Sequence, residues 1–185
     1  MSETYYVKTF GGLEITNDNV TVNIVELFGK QLVNLLQVLL FHSEKPVQKD
    51  ELIDILWPES KNPSSALKFS IFRLRSELNE IDFFKDKEVI VTTRKGYILN
   101  PNLDWNIDFV ELQKAYNQIN EGAELLDEKE FKIARKIFRL YQGRFYASPS
   151  QLHWILQKQE VFRQMYVKTM MRTSCYLYTQ KRYDE

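Results

Sequence analysis

The stretch NPSSALKFSIFRLRSEL at residues 62–78, followed by VIVTTRKGYIL at residues 89–99, decides the fold of this chain. In the first segment, apolar residues recur at i, i+4, i+7 and i+11, which places them on one stripe of a helix. They are Leu67, Ile71, Leu74 and Leu78. The second segment is rich in β-branched residues and carries a turn signal near its middle, which is typical of a hairpin. We therefore predict a helix followed by a β-hairpin.

The start of this helix is marked by two residues. Asn62 has a side chain that can accept a hydrogen bond from a free backbone N–H of the first turn. Pro63 follows at a position where its missing N–H costs nothing. We expect the Asn62 side chain to cap the helix.

The helix face opposite the apolar stripe is predicted to be positive. It carries Ser65, Phe69, Phe72, Arg73 and Ser76, with Lys68 and Arg75 at its flanks. Between Glu59 and Glu77 every charged residue is a cation. Phosphates respond to such a local field, although the net charge of the whole chain is zero. The pattern indicates a nucleic-acid contact, and a solvated helix surface is the alternative interpretation.

Two neighbouring features favour a binding face. The predicted hairpin turn displays a second pair of cations, Arg94 and Lys95. Phe69 and Phe72 point away from the apolar stripe, so their rings need a partner. That partner is either a neighbouring helix or the thymine methyls and sugars of DNA, and both alternatives are open at this point.

Upstream residues predict the rest of a small α+β domain. β-branched and aromatic residues at 5–15 and 20–24 indicate an antiparallel sheet. Helical periods predict a first helix at 28–42 and a second at 49–56, which Pro58 ends. The predicted order is sheet, helix, helix, helix, hairpin.

Several motifs in this order resemble the winged-helix domain of OmpR-type regulators. They are Phe10-Gly11-Gly12-Leu13, Glu51-Leu52-Ile53 with Leu56-Trp57-Pro58, Ala66-Leu67, Arg73-Leu74-Arg75 and Thr93-Arg94-Lys95-Gly96-Tyr97-Ile98-Leu99. The version that precedes a bacterial transcriptional activator domain, as in antibiotic-regulatory-protein (SARP-type) activators, fits best. This resemblance covers essentially the whole chain.

The resemblance implies that the third helix recognises DNA and that residues 93–97 form a wing. It implies that Arg73 and Arg75 hold phosphates or a base edge and that Arg94 approaches the minor groove. The predicted DNA-binding residues are Lys68, Phe69, Phe72, Arg73, Arg75, Thr93, Arg94 and Lys95. The family usually has a small polar residue where Phe72 stands, so the target sequence cannot be carried over from relatives.

The second part of the chain is predicted to be helical. Residues 100–104 are rich in turn formers, and beyond them helical periods run through 109–119, 131–141 and a long segment that reaches Thr179. The predicted breaks are Asn120-Glu121-Gly122, Gly143 and Ser148-Pro149-Ser150. Paired helices of this length resemble tetratricopeptide-like repeats, although no strict internal repeat can be counted. The resemblance to the activator domain rests on the Gly143-Arg144-Phe145 turn and the Tyr183-Asp184-Glu185 ending.

Length and composition agree with two domains. The 185 residues, 44% of them apolar, suffice for one or two cores. We predict a winged-helix DNA-binding domain over 1–100, a linker over 101–107, and a tetratricopeptide-like bacterial transcriptional activator domain over 108–185 that is truncated at its C-terminus. Residues 1–100 carry twelve Lys and Arg against fourteen Asp and Glu. With this charge balance the nonspecific electrostatic attraction to DNA is weak, so DNA binding must depend on individually positioned contacts.

Catalytic, metal and membrane functions find little support. His42 and His153 are isolated from metal-ligand spacings, and no phosphate loop or nucleophile motif occurs. Cys175 is the only cysteine, which suits a reducing cytoplasm. The longest apolar stretch, near 35–41, is too short to span a bilayer, and the N-terminus lacks a signal-peptide pattern. We predict a cytoplasmic protein that is no enzyme and has no cofactor, metal or membrane partner.

Two functions remain. In the first, the chain is a sequence-specific transcription regulator, an activator that binds direct-repeat promoter sites, with double-stranded DNA, RNA polymerase and a second copy of itself as partners. In the second, the winged helix is a protein-interaction module that does not bind DNA, and the chain is a scaffold. The neutral balance, the outward-facing phenylalanines and the acidic second helix favour the scaffold, whereas the cationic face and turn favour DNA binding.

Overall fold

The computed structural model describes residues 3–119, 125–147 and 152–182. The chain forms two compact units. The N-terminal unit consists of Met1–Tyr5 and Glu14–Trp105, and the C-terminal unit of Tyr6–Leu13 and Asn106–Glu185. Tyr6–Leu13 therefore groups with the C-terminal unit, although the sequence placed it in the winged helix. The domain boundaries themselves stay a prediction.

The elements follow the predicted order of sheet, three helices and hairpin, with additions. The strands are β1 Thr4–Lys8, β2 Glu14–Asn17, β3 Val20–Asn23, β4 Ile90–Thr93, β5 Gly96–Leu99 and β6 Asp104–Ile107. The helices are α1 Ile24–Leu27, α2 Lys30–Phe41, α3 Lys49–Leu56, α4 Pro63–Asn79, α5 Asp108–Tyr116, α6 Glu128–Leu140 and α7 His153–Thr179, with a 3₁₀ turn at Asp82–Phe84. The fold is an α+β winged helix-turn-helix followed by helices, as predicted.

The strands form two sheets. The four-stranded sheet has the order β3-β2-β1-β6, and β4 pairs with β5 in a separate hairpin. Strands β2 and β3 are antiparallel, with Glu14 opposite Asn23 and Asn17 opposite Val20. Strand β6 lies within the predicted linker at 101–107, where a strand was not expected. Two of its four residues, Asp104 and Asn106, are of types that are depleted in strands, so local propensity does not decide for a strand without the sheet partner.

Three helices form the core of the N-terminal unit. Helix α2 is buried at every position from 32 to 40, Asn34 and Gln37 included, so it is an interior helix and not a half-exposed one. Leu52 and Leu56 of α3 and the predicted stripe of α4 pack into the same unit. Helix α3 has the predicted bounds, with Asp50 and Glu51 in its first turn. Acidic side chains at the N-terminus of a helix interact favourably with the helix dipole.

The start of α4 differs from the prediction in one respect. Pro63 occupies the first turn as expected, but the Asn62 side chain makes no capping hydrogen bond. Asn62 has φ −139° and ψ 65°, which departs from the extended backbone that directs a capping side chain onto the first turn. The predicted cap is therefore wrong.

The C-terminal unit packs its helices around aromatic rings. The ring centroid of Phe10 lies 5.1 Å from that of Tyr141, 5.9 Å from that of Phe145 and 5.3 Å from that of Phe162. Phe10 also forms an isolated antiparallel bridge with Phe145. These contacts explain why Tyr6–Leu13 belongs to this unit.

A part-buried carboxylate fixes the segment around Phe10. Asp108 accepts hydrogen bonds from the backbone N–H of Thr9 at 2.7 Å, of Phe10 at 3.1 Å and of Phe109 at 2.7 Å, and from the Thr9 hydroxyl. Burial raises the pKa of Asp108 above its usual value, against the opposing effect of these donors. The first residue of α5 thus holds the residues before Phe10.

Two glycines allow the N-terminal segment to approach the turn after α6. Gly11 has φ +88° and Gly143 has φ +139°. A Cβ atom on Gly11 would lie 2.9 Å from the carbonyl oxygen of Gln142. The predicted breaks at 120–122 and 148–150 and the predicted ending at 183–185 lie outside the described residues.

Candidate nucleic-acid interface

Helix α4 has one buried and one exposed face, as its sequence predicts. Leu67, Ile71, Leu74 and Leu78 are buried. On the other side the Phe69 and Phe72 side chains are 62% and 70% exposed. The alternative in which these rings pack beneath a neighbouring helix is therefore wrong. The exposed face presents two large apolar rings to solvent among cations.

Arg73 lies on this exposed face with its guanidinium accessible. Its side chain is 51% exposed, and in the described parts of the chain it forms an ion pair only with Glu77, four residues along the same helix, at 3.4 Å. Exposed pairs of this kind contribute little and exchange readily with solvent. Arg73 can therefore exchange its ion pair with Glu77 for an ion pair with a stronger anionic partner.

Arg75 has a different environment, which the sequence did not reveal. Its Nη2 lies 2.7 Å and its Nε 3.0 Å from the carbonyl oxygen of Ile90, and Nη2 also lies 2.9 Å from the Thr92 hydroxyl. These bonds join α4 to strand β4. Nη1, which makes none of these bonds, is the part of the side chain left for an external contact.

The hairpin turn displays its two cations as predicted. Strands β4 and β5 are antiparallel, and Thr93 pairs with Gly96 so that Arg94 and Lys95 form the turn and are exposed. The Thr93 hydroxyl accepts from the Lys95 N–H and donates to the Gly96 carbonyl oxygen, both at 3.2 Å. Thr93 therefore shapes the turn that presents the cations.

The hairpin is also anchored to the residues before α3. Val47 and Tyr97 exchange both backbone hydrogen bonds, at 2.8 and 3.0 Å. At Gly96, where φ is +146°, a Cβ atom would lie 1.8 Å from the Val47 carbonyl oxygen. No other residue fits here without moving the backbone. The hairpin is thus held from two sides, by Arg75 and by Val47.

The free cations of the candidate interface lie at its two ends. Lys68 on α4 and Arg94 and Lys95 on the turn are exposed, and none has an ion-pair partner within residues 3–119, 125–147 and 152–182. Lys87 is different, because it pairs with Glu3 and donates to the Tyr5 hydroxyl at 2.7 Å. Although burial opposes it, hydrogen bonds to Glu3 and Tyr5 raise the pKa of Lys87.

A groove of about 410 Å³ borders the C-terminal half of α4. It is lined by Phe72, Arg75, Ser76, Asn79, Lys87, Glu88 and Val89. Phe72 therefore borders this groove, and it is mostly exposed to solvent. The arrangement gives this ring a large accessible apolar surface.

Two further observations concern metal ions and membranes. In the parts that the structure describes, no group of three or more His, Cys, Asp and Glu side chains is placed to hold a metal ion. Within the same ranges, every helix is too short or too polar to traverse a lipid bilayer.

Comparison with known proteins identifies the segment that contains α2, α3, α4 and the hairpin. Residues 25–99 match the family described as "Transcriptional regulatory protein, C terminal". Over these residues the chain is similar to the winged-helix domain of OmpR-type regulators. The β4–β5 hairpin lies at the end of the matched residues, and the match supports a DNA-binding transcription regulator.

Solved structures extend the comparison beyond the winged helix. Mycobacterium tuberculosis EmbR, in complex with a low-affinity phosphopeptide, matches 92% of this chain with a TM-score of 0.65 and 18% identity. The match shows that the fold of a winged helix followed by tetratricopeptide-like helices is shared. The chain spans 44% of the length of EmbR.

A second solved structure matches the N-terminal part. The DNA-binding domain of E. coli CadC matches 54% of this chain and is matched over 94% of its own length, with 25% identity and a TM-score of 0.39. A comparison with curated proteins gives no match.

Proposed function

We propose that this chain is a transcription activator that binds direct-repeat promoter sites through α4 and the β4–β5 wing. The observation that carries the proposal is the exposed face of α4, where accessible rings and cations lie next to a hairpin held in place by Arg75 and Val47. A rigid helix and a rigid turn can address adjacent grooves of one duplex.

The contacts divide by position. Lys68, Phe69, Phe72 and Arg73 face the major groove, because all four project from the solvent-exposed side of α4. Arg94 and Lys95 reach the neighbouring minor groove from the wing. Arg75 and Thr93 act mainly by positioning the wing, since most of their hydrogen-bonding groups are engaged within the protein.

The C-terminal unit supplies the remaining functions of an activator. Its tetratricopeptide-like helices offer surfaces for a second copy of the chain on DNA and for RNA polymerase. A regulator of this kind works in the cytoplasm, where bacterial DNA lies, and needs neither a cofactor nor catalysis. The direct repeats come from the resemblance to the activator family.

The second candidate function is a protein-interaction scaffold. It is favoured by the exposed Phe69 and Phe72 rings and by Asp50, Glu51 and Asp54, which are exposed on α3. A scaffold would use these rings to bind another protein and would have no affinity for phosphates.

Binding to random duplex DNA at several salt concentrations separates the two functions. For a DNA-binding chain, the logarithm of the binding constant falls linearly with the logarithm of the salt concentration. The slope is about −0.9 for each phosphate neutralised. We expect Lys68→Ala with Arg73→Ala to reduce the magnitude of this slope by about two. The control is Lys129→Ala with Lys132→Ala, which removes two exposed cations from α6. No binding, or an equal effect of both double variants, would favour the scaffold.

A further inference from the structure

Phe69 and Phe72 form an apolar pair that the described parts of the chain leave largely uncovered. Neither ring lies against another aromatic ring in the described parts of the chain, and both are more than half exposed. Phenylalanine is usually buried, and contiguous exposed apolar surface generally marks a binding site. A binding partner that covers these two rings should therefore present an apolar group to them.

The cations beside the rings determine which partner fits. Lys68 immediately precedes Phe69, and Arg73 immediately follows Phe72. Lys68 has no ion-pair partner in the described ranges, and Arg73 has a weak one. An occupant must present apolar groups to the rings and anions on both sides of them. Duplex DNA has this arrangement, since phosphate strands border the major groove on both sides.

The base edges in the major groove offer few apolar groups. Guanine and adenine present acceptors or donors there, cytosine presents an amino group, and thymine alone adds a methyl group, at C5. A ring placed against the polar edges would strip them of water without replacing their hydrogen bonds. A ring placed against the thymine methyl removes apolar surface from water on both sides.

The spacing of the two rings sets the spacing of their targets. Residues three apart lie on the same side of a helix, separated by about 4.5 Å along its axis. Base pairs are separated by about 3.4 Å along the duplex. Two rings at this distance therefore address neighbouring base pairs and not positions several steps apart.

Resting on the proposed function, we infer that Phe69 and Phe72 read the C5-methyl groups of thymines at neighbouring base pairs. The chemical feature recognised is the methyl group. Deoxyuridine pairs like thymidine and lacks the methyl group, so replacing thymidine with it should lower the affinity for DNA. 5-Methylcytosine carries a methyl group at the same ring position, so it should give a higher affinity than cytosine.

The test uses the full chain and a duplex that it selects from genomic fragments. Each thymine of the bound half-site is replaced singly by deoxyuridine, and affinity is measured at one salt concentration. We expect losses of roughly fourfold at two neighbouring base pairs, which corresponds to one buried methyl group each. At the same two positions, a cytosine placed for thymine should gain affinity when it is methylated at C5.

Variants assign the two positions to the two rings. Phe69→Ala should abolish the methyl dependence at one position and Phe72→Ala at the other, because each removes one ring. Both side chains are exposed, so the fold should persist, and thermal unfolding checks this. Met171→Ala is the matched control, since it truncates an apolar side chain of α7 that is 63% exposed. It should change neither affinity nor methyl dependence.

The outcomes separate this inference from the proposed function. Salt-dependent duplex binding with equal affinity for thymine and deoxyuridine at every position would overturn the inference and leave the proposed function standing. Methyl dependence that survives in both phenylalanine variants would overturn it as well. Absence of salt-dependent binding to any duplex would overturn both.

Discussion

The guanidinium of Arg75 holds the carbonyl oxygen of Ile90 with two nitrogens, Nη2 at 2.7 Å and Nε at 3.0 Å. This relationship joins the exposed helix of the winged domain to its wing. It also separates Arg75 from Arg73, although the Arg-Leu-Arg motif suggested similar roles for both. Replacing Arg73 and replacing Arg75 should therefore have different effects on stability and on DNA affinity.

Arg73→Ala should weaken DNA binding without a loss of stability. We expect about 1–3 kcal/mol if Arg73 reads a base, and a uniform loss with a smaller salt slope if it holds a phosphate. Affinity measured on several duplexes at two salt concentrations distinguishes these cases. Unchanged affinity on all duplexes would exclude Arg73 from the interface.

Arg75→Ala should lower both stability and DNA affinity. The loss of the bonds to Ile90 and Thr92 should reduce the free energy of unfolding by about 1–3 kcal/mol. Arg75→Lys should recover little of this, because an ammonium cannot reproduce the forked geometry. Denaturant unfolding of both variants beside Arg73→Ala is the measurement. A stability equal to that of Arg73→Ala would contradict the positioning role.

Gly96→Ala should strongly destabilise the N-terminal unit. The new Cβ would lie 1.8 Å from the Val47 carbonyl oxygen, so the wing must separate from Val47. We expect a loss of at least about 3 kcal/mol in the free energy of unfolding. Gly29→Ala is the control, since no atom lies within 4 Å of a Cβ there, and it should cost less than about 1 kcal/mol. Similar losses in the two variants would show that the close approach is unimportant.

Arg94→Ala combined with Lys95→Ala should reduce affinity most on sites with A·T-rich flanks. The minor groove of such flanks is narrow and its potential more negative, so a cation inserted there gains more. Affinity is compared between duplexes that share a core site and differ in flank. The same loss on A·T-rich and G·C-rich flanks would reduce the wing to a phosphate contact.

Binding to tandem sites should be cooperative. Protomers on direct repeats lie on the same face of the duplex when the centres of their sites are about 10–10.5 bp apart. The full chain is tested on one site, on two sites in phase and on two sites offset by half a turn. We expect the highest affinity per site in phase. Equal affinity per site on all three duplexes would leave the C-terminal unit to act through RNA polymerase alone.

The stability of the C-terminal unit should depend on the protonation of Asp108. Burial raises the pKa of Asp108 above its usual 3.8, so the folded state binds a proton more tightly than the unfolded chain. This contribution is complete below the unfolded pKa and is lost as the pH rises through the folded pKa. The free energy of unfolding, relative to that of Asp108→Asn, should therefore fall as the pH rises from below the usual aspartate pKa through the raised pKa of Asp108. A relative increase over this interval would contradict the sign.

The sequence predicted those features that local patterns determine. The stripe of Leu67, Ile71, Leu74 and Leu78 placed α4 and its exposed face, and the β-branched run around Arg94 and Lys95 placed the hairpin. These assignments succeeded because helical period and turn chemistry act over a few residues. The existence of cations on both elements followed in the same way.

Features that depend on distant partners were not predictable. Residues 104–107 are too short a segment to indicate a strand by themselves, and their neighbour β1 lies a hundred residues earlier. The engagement of Arg75 required the position of Ile90, and the role of Gly96 required Val47. Phe10 looked like part of the winged helix, since the residues that surround its ring come after residue 140.

The position of Phe10 has a consequence for how the chain folds. Its ring finishes in contact with Phe162, so the two ends of a loop of about 150 residues must meet. Contacts this distant in sequence slow folding, because loop-closure entropy is lost before the contacts form. On a ribosome that adds about 5–20 residues per second, Phe10 is made on the order of ten seconds before its partners. Phe10, which is made near the start of synthesis, is thus among the last residues to find its native neighbours.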